Sequence, residues 1–483
     1  MKKINKKDLI IYIIIFVMTC IIFLPFLVGH YSPDSYNIYN IGYHNYAIKY
    51  SLNDGRIFMA ILGLIASKIN IPLNAYISIT LFFAILISNV TVMILNKIIK
   101  KYKEPKNIFQ EIIVLIISYI TIFNFMYLDN MYFVECIVMA ISVLLFLISA
   151  YILVRKSNKY FIKSLSLTIL GIMCYQGTIG MFFTFVFLFT ILKNKNNIKQ
   201  ILIDFLQSGL IAGIGVVIDL LVVKIIGNIF NMNQSRYGKL NNILKNIKYI
   251  FLSLPAIMKN TCNLFPENML NFFLSILTII VIIYQAKNLK EEDNILYKYL
   301  AIVFITIASA FVIHLTTLTS FNAGRLKNSL GALVGIIFIF LYVKTNLFEE
   351  KNKLSKATVI VLISFTIINI FNYEHIILQY KKLNELEKQE VKELDKYISQ
   401  YENNTGIKVT KIAKVVIYNK QASYNTAIKG YCSADGAINM YTKRNLKTVV
   451  INKEERANYL ENKSAETEYE CIGDTLYVNI YNV

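Results

Sequence analysis

The sequence predicts an α-helical polytopic membrane protein of about eleven spans, with interfacial helices in the first external loop and a C-terminal extracytoplasmic α+β domain. The chain of 483 residues is 56% hydrophobic, with a mean hydropathy of +0.51. Its apolar runs repeatedly reach about twenty residues, the length that crosses a hydrocarbon core about 30 Å thick. After residue 373 these runs give way to mixed-charge and strand-like sequence. The membrane part and a separate C-terminal domain are therefore predicted on either side of this boundary.

The spans begin with the first apolar run, which lacks a small-residue cleavage site and is interpreted as a retained helix. The predicted spans are residues 9–28, 74–95, 108–128, 131–154, 161–174, 177–192, 201–226, 268–284, 297–314, 328–343 and 357–371. With the N-terminus in the cytoplasm, the inner loops hold 23 Lys and Arg residues and the outer loops hold 9. Because basic residues are retained on the cytoplasmic side, this orientation is predicted.

The first external loop is predicted to form helices at the outer membrane surface. Five tyrosines recur there at steps of three and four after a Ser-Pro-Asp helix start, which places them on one helix face. They are Tyr36, Tyr39, Tyr43, Tyr46 and Tyr50. The apolar run 57–71 is short and precedes a proline. It is interpreted as an interfacial or half-inserted helix, because a full span would invert the charge asymmetry of all later loops.

The C-terminal region, residues 374–483, is predicted to be an α+β domain outside the membrane. It carries 16 Lys and Arg against 15 Asp and Glu, whereas residues 1–373 carry 34 against 15. The net charge of +20 therefore belongs to the membrane part, and a nucleic-acid partner is not predicted. Cys432 and Cys471 lie in a compartment that permits disulfides, and the alternatives of a bridge and of two free thiols both stay open.

Polar residues follow the apolar segments in an order that resembles a known family. Asp34 follows the first span, and the Asp-Gly-Arg motif at 54–56 comes roughly twenty residues later, just before an apolar run. A Tyr-Gln pair at 175–176 falls between two middle spans. This order, over residues 1 to about 345, resembles the Gtr-type (type II) O-antigen glucosyltransferases, multi-span enzymes of the GT-C fold class. Ser35 stands where that family has a second acid, which disfavours metal binding by adjacent carboxylates.

The resemblance implies a bacterial plasma-membrane glycosyltransferase that moves a hexose, glucose in that family, to a cell-surface glycan. Sugar nucleotides are not available outside the cytoplasm, so the donor is expected to be a polyprenyl-phosphate sugar in the outer leaflet. This expectation agrees with the lack of a glycine-rich phosphate loop. The leaving phosphate needs fixed cations, and the acceptor hydroxyl needs a general base. The predicted partners are the lipid-linked sugar, the glycan and the bilayer, with no cofactor and no assigned metal ligands, and a requirement for a divalent metal stays open.

Individual residues are assigned to these roles. Asp34 is the candidate base, because it has the family position and lies nearest the bilayer, and Asp54 is the competing candidate. The candidate ligands of the donor phosphate are Arg56, Arg325, Arg236 and Lys239, and the candidate residues that line the acceptor site are Tyr36, Tyr175, Gln176 and His314. Acidic residues in or beside spans are expected to face the bundle or the headgroups. They are Glu135, Asp204 and Asp219, whereas Asp129, on the outer side near Glu135, is expected to lie in a solvated loop.

Two other functions share this architecture. A polysaccharide or lipid flippase is also polytopic, but transporters tend to place charges near mid-membrane and to show inverted repeats. The sequence shows no such repeat, and its unusual polar residues collect on one face, which favours an enzyme. A polysaccharide polymerase or ligase that uses a lipid-diphosphate donor stays open as an alternative.

Overall fold

The computed structural model describes residues 6–193, 198–230, 243–288, 294–315, 323–349, 352–417, 427–429, 433–462 and 468–481. Its α-helices are α1 (Lys6–Ile22), α2 (Leu24–Val28), α3 (Pro33–Tyr46), α4 (Ile57–Lys68), α5 (Leu73–Tyr102), α6 (Ile108–Ile122), α7 (Tyr127–Tyr132), α8 (Cys136–Arg155), α9 (Tyr160–Cys174), α10 (Ile179–Lys193), α11 (Ile198–Ile229), α12 (Ile243–Asn260), α13 (Met269–Lys287), α14 (Ile295–Ser309), α15 (Asn328–Lys344), α16 (Lys353–Thr405), α17 (Ala434–Thr442) and α18 (Lys453–Asn462). Its strands are β1 (Lys411–Ile417), β2 (Lys447–Val449), β3 (Tyr469–Ile472) and β4 (Thr475–Tyr481).

A helix lies in each of the eleven apolar segments that were predicted as spans. Among the described residues, six helices are long and apolar enough to cross a membrane, or seven if the bent pair Leu9–Ile22 and Leu24–Leu52 is one span. The other predicted spans coincide with α6, α9, α14 and α15, which have only 15 to 17 residues. These apolar helices indicate a membrane protein, and the number of spans depends on the four short ones.

The chain divides into two compact units. The first comprises Met1–Leu24, Lys49–Ile61 and Ile79–Ile376. The second comprises Pro25–Ile48, Leu62–Ser78 and Ile377–Val483. Most of the apolar helices belong to the first unit, and the sheet belongs to the second.

Helices α10 and α15 form the buried centre of the first unit. All residues of α10 from Ile179 to Leu192 are buried, as are those of α15 from Asn328 to Tyr342. Helix α10 packs against α8, α11, α14 and α15, and α15 also packs against α6. Large apolar side chains on α1, α11 and α13 are exposed. A hydrophobic exterior around a hydrophobic centre is what a bundle immersed in lipid requires.

Small residues allow these helices to approach one another closely. A Cβ atom on Gly331 of α15 would lie 1.9 Å from the Oδ1 atom of Asn124, which follows α6. The hydroxyls of Ser149 on α8 and Ser164 on α9 form a buried hydrogen bond of 2.7 Å. Short side chains and hydrogen bonds between helices are the expected means of association in lipid, where apolar burial adds little.

The second unit contains a four-stranded sheet in the order β2-β1-β4-β3. Strand β1 is parallel to β2 and β4, and β3 and β4 form an antiparallel hairpin whose turn contains Gly473 at φ +59°. Val391, Leu394 and Ile398 from the C-terminal half of α16 share one hydrophobic core with the sheet. The predicted combination of a charged helix and strands in the C-terminal region is confirmed. Cys471 is buried, and its possible disulfide partner Cys432 lies outside the described residues.

The predicted tyrosine helix is present but is shorter than expected. Ser32 caps α3 in a capping box with Ser35, as the Ser-Pro-Asp signal indicates. Gly42, at φ +78° and ψ 158°, interrupts the helical conformation, and a π-helical turn follows at Ala47–Leu52. Because the 3.6-residue period does not run through this break, the prediction of a single face for all five tyrosines is wrong. Tyr36 is fully buried, whereas Tyr50 is 37% exposed.

Candidate active site

The Asp-Gly-Arg motif lies in the first unit and forms a tight turn that leads into α4. Gly55 has φ +74°, a conformation that favours glycine. The backbone N–H of Arg56 donates to the carbonyl of Ser51 at 2.8 Å, which closes the turn. Arg56 and Asp54 thereby lie side by side, with 3.6 Å between Nη2 and Oδ2.

Arg56 also forms an ion pair with Glu135, the residue that precedes α8. Its Nη1 atom donates to the Oε2 atom of Glu135, a side chain that is only 2% exposed. One guanidinium therefore bridges two carboxylates, and its planar fork directs a different nitrogen at each of them. The name Arg56 cluster is used below for Asp54, Arg56 and Glu135.

A second arginine is held in a similar way near α7. The backbone N–H of Arg325 donates to the Oδ2 atom of Asp129 at 2.9 Å, and its Nη1 atom lies 3.6 Å from the same oxygen. The guanidinium also lies 4.1 Å from the centroid of the Phe133 ring, a cation–π distance. A Cβ atom on Gly324 would lie 2.0 Å from the Cδ1 atom of Leu264, so a larger residue there would force that side chain to shift. Asp129, Phe133 and Arg325 are called the Arg325 cluster.

Tyr175 lies within the influence of both clusters. The guanidinium of Arg56 is 5.2 Å from the centroid of its ring. Burial raises the pKa of the Tyr175 hydroxyl, and the charges of Arg325 and Arg56 act in the opposite direction. The side chain is 1% exposed, and its hydroxyl has no hydrogen-bond partner among the described residues. A buried hydroxyl without a partner is unfavourable unless another molecule supplies one.

Gln176 connects the Arg56 cluster with α11. Its Nε2 atom donates to the backbone carbonyl of Asp54 at 3.0 Å and to the Oδ2 atom of Asp219 at 3.2 Å. The next residue is Gly177, where a Cβ atom would lie 2.5 Å from the ring of Tyr175. The predicted Tyr-Gln pair and the Asp-Gly-Arg motif are thus brought together, although more than a hundred residues separate them in the chain.

His314 and Lys327 line a small cavity of their own in the first unit. Tyr249, Ser253 and Phe311 contribute to the same cavity, and both His314 and Lys327 are buried. Burial lowers the pKa of Lys327. Lys327 is only two residues from Arg325 in the sequence, so the cavity and the Arg325 cluster share one short segment of the chain.

The other predicted site residues lie elsewhere or outside the described residues. Asp34 and Tyr36 belong to the second unit, with Asp34 in the first turn of α3. Arg236 and Lys239 lie outside the described residues. The three acids expected to face the bundle or the headgroups are buried: Glu135 and Asp219 in the site, and Asp204 in an ion pair of 2.9 Å with Lys156. The prediction of a solvated loop for Asp129 is wrong, because this residue is buried and accepts a hydrogen bond from the backbone N–H of Arg325.

Sequence reasoning missed two polar residues of this region. Neither Lys327 nor Asn130 of α7 stands out in the sequence as a candidate site residue. Asn130 is fully buried, and neither polar atom of its side chain has a hydrogen-bond partner among the described residues. Its position next to Asp129 is the one feature of the sequence that could have identified it as a site residue. No group of three or more His, Cys, Asp and Glu residues in the described ranges is arranged to hold a metal ion.

Apolar helices around a buried, charged site define a helical membrane protein with a polar reaction or binding centre. Residues 25–344 match the model of the family Glucosyl transferase GtrII. This match covers well over half of the chain and includes both clusters, so the chain belongs to this family. The resemblance drawn from the order of its motifs is confirmed, and membership supports glycosyltransferase activity. No curated protein matches the chain.

Proposed function

We propose that the protein transfers a hexose, glucose by its family, from a polyprenyl-phosphate sugar to a cell-surface glycan at the outer face of the bacterial plasma membrane. The observation that carries this proposal is a pair of half-buried arginines whose charges both act on buried Tyr175, inside the region that matches the glucosyltransferase family. Such a site offers fixed positive charge and a free hydroxyl to a donor that carries both a phosphate and a sugar.

The two guanidiniums suit the leaving group of this reaction. When the sugar leaves its lipid carrier, negative charge grows on the phosphate oxygen, and preorganised donors stabilise that charge. Glu135 and Asp129 hold the arginines in place, so little reorganisation is needed when the donor binds. Arg56 and Arg325 are therefore the proposed donor phosphate ligands, with Tyr175 and Gln176 lining the sugar or acceptor site.

A carboxylate takes the proton of the acceptor. The acceptor oxygen forms a bond to C1 of the sugar as the bond between C1 and the phosphate oxygen breaks, and the proton passes to the base while the polyprenyl phosphate leaves. Asp34 is the proposed base, because it has the family position, and it lies in the first turn of α3. Asp54 is the competing candidate, because it lies beside Arg56.

The proposal includes a topology. About eleven spans in a GT-C-like arrangement over residues 1–373 would place the N-terminus inside and the C-terminal domain, residues 374–483, outside. The excess of basic residues in the predicted inner loops supports this orientation. The loops that carry Asp34, Asp54 and Arg325 then lie on the outer side, where a lipid-linked donor is the available form of activated sugar.

A transfer assay tests this function. Purified protein in detergent would be incubated with polyprenyl-phosphate [¹⁴C]glucose and cell-envelope glycan, and label in the glycan would be followed. We expect transfer by the wild type and by Asp474→Asn, a control at an exposed surface ion pair with Lys411, and loss of transfer in Asp34→Asn with donor binding retained.

The other outcomes are informative. Transfer that survives Asp34→Asn but is lost in Asp54→Asn would move the base to Asp54. A folded wild type that neither transfers nor hydrolyses the donor would refute the proposed donor, and lipid-diphosphate sugars and flipping assays would be tried next.

A further inference from the structure

Within the second unit, side chains from α16 hold the segment that leads into α3. The Nζ atom of Lys381 donates to the carbonyl of Gly29 at 2.5 Å. The side chain of Asn384 pairs with both backbone groups of Tyr31: its Oδ1 atom accepts from the N–H at 2.9 Å, and its Nδ2 atom donates to the carbonyl at 2.9 Å. Two backbone bonds to one amide fix both the position and the orientation of this segment.

Glu387, one turn further along α16, is bonded directly to α3. Its carboxylate is buried and accepts from the hydroxyl of Tyr36 at 2.5 Å and from the Nδ2 atom of Asn384 at 3.0 Å. It also accepts from the backbone N–H of Ala427 at 2.7 Å. All three partners are donors, so the carboxylate is matched to its surroundings despite its burial. The Tyr36 hydroxyl is further hydrogen-bonded to Tyr441 at 3.0 Å.

Helix α17 secures α3 from another side. A Cβ atom on Gly436 would lie 2.1 Å from the carbonyl oxygen of Tyr36, so the two helices are in direct backbone contact. Further along α3, the Nδ2 atom of Asn40 donates to Asp435 at 2.9 Å, and its Oδ1 atom accepts from Asn439 at 2.8 Å. The contacts therefore continue over two turns of the helix.

These contacts come from a part of the chain that the family match does not include. The match ends at residue 344, whereas Lys381, Glu387 and Gly436 all follow it. The helix that they hold lies inside the match and carries Asp34. We infer that the C-terminal segment 377–483 is a positioning element for α3, in which Glu387 is a positioning residue that fixes the helix bearing Asp34. The effect on transfer rests on the proposed function, but the effect on the helix does not.

Glu387→Gln tests this role specifically, because it keeps the shape of the side chain and replaces one hydrogen-bond acceptor with a donor. Tyr36 could rotate its hydroxyl to accept, but Asn384 and Ala427 present N–H groups to the two different oxygens. In either orientation of the glutamine amide, its NH2 group faces the N–H of Asn384 or that of Ala427. At least one buried hydrogen bond is therefore lost, and α3 is expected to loosen.

Hydrogen exchange on the full-length protein in detergent tests this inference. We expect exchange of the amides in residues 34–41 to accelerate by about tenfold or more in Glu387→Gln, the change expected from one lost buried bond. Glu385→Gln, an exposed glutamate on the same helix, is the matched control and should leave these amides unchanged. Tyr36→Phe removes only the hydroxyl and provides a second variant if Glu387→Gln does not fold.

The transfer assay supplies the functional measurement on the same samples. We expect kcat to fall about tenfold in Glu387→Gln while KM for the donor stays within about threefold, because a displaced base slows the chemical step more than it weakens donor binding. Unchanged exchange at α3 in both Glu387→Gln and Tyr36→Phe would overturn the inference, as would faster exchange with unaltered kcat. If the wild type shows no transfer, the proposed function fails while the exchange data still decide whether the C-terminal segment holds α3.

Discussion

Replacing Arg56 with lysine tests whether the forked geometry of its guanidinium matters. In the Arg56 cluster, Nη1 donates to Glu135 and Nη2 lies 3.6 Å from Asp54. A lysine keeps the positive charge but has one compact ammonium group. That group donates from a single nitrogen, so beside Glu135 it cannot present the parallel N–H groups of a guanidinium to a donor phosphate.

The expected magnitude follows from the loss of one charge-assisted hydrogen bond. Such a bond contributes about 1.5–3 kcal/mol where solvent is largely excluded, and the side chain of Arg56 is only 15% exposed. A loss of about 2 kcal/mol in the transition state lowers kcat/KM by about thirtyfold. Charge is conserved, so we expect the folded protein to unfold at nearly the wild-type temperature.

Arg155→Lys provides the matched control for this measurement. Arg155 lies at the end of α8, is exposed, and also lies over a tyrosine, 5.9 Å from the ring centroid of Tyr151. Initial rates of [¹⁴C]glucose transfer would be measured across donor concentrations for both variants, with thermal unfolding followed in the same detergent. If Arg56→Lys kept kcat/KM within about twofold of Arg155→Lys, the assignment of Arg56 as a forked phosphate ligand would be wrong.

Three further predictions concern other parts of the chain. Tyr175→Phe removes a buried hydroxyl without a partner among the described residues, so thermal stability should be retained while transfer falls about tenfold; a parallel loss of both would contradict this. Gly331→Ala forces a Cβ atom to 1.9 Å from Asn124 and should lower the free energy of unfolding by about 1–3 kcal/mol. Gly213→Ala is the control and should leave stability unchanged, because a Cβ atom there meets nothing within 4 Å; equal melting temperatures of the two variants would refute the packing argument. Burial raises the pKa of Glu387, so the stability that this group contributes is fully present below its unfolded pKa of about 4.3 and is lost as pH rises through the higher folded value. The melting temperature of wild type relative to Glu387→Gln should therefore fall as the pH is raised from below the unfolded pKa to neutrality, and a rise would show the opposite linkage.

Local sequence patterns predicted the helices well, because each depends on residues that are neighbours in the chain. The apolar runs all contain helices, and the Ser-Pro-Asp signal begins α3 with the expected cap. The tyrosine stripe failed at Gly42, because periodicity predicts a face only while the backbone stays helical. A glycine in a helical pattern is tolerated often enough that its positive φ could not be foreseen.

The candidate site was predicted in its parts but not in its pairings. Asp54, Arg56, Tyr175 and Arg325 were selected because of their positions in outer loops and in the motif order. No local sequence rule predicts that Glu135 forms an ion pair with Arg56, or that Asp129 forms one with Arg325. The partners come from separate helices, and their distance depends on how α7, α8 and the turns around them pack.

The sequence by itself determined that this chain is a helical membrane protein of a glucosyltransferase family, since hydropathy, charge asymmetry and motif order are properties of the chain alone. Only the tertiary structure decided which carboxylate holds which arginine, and that residues after 377 hold the helix of Asp34. The physical reason is that a buried ion pair or hydrogen bond acts over about 3 Å in space, and hundreds of residues of chain can separate the two groups that form it, as for Tyr36 and Glu387.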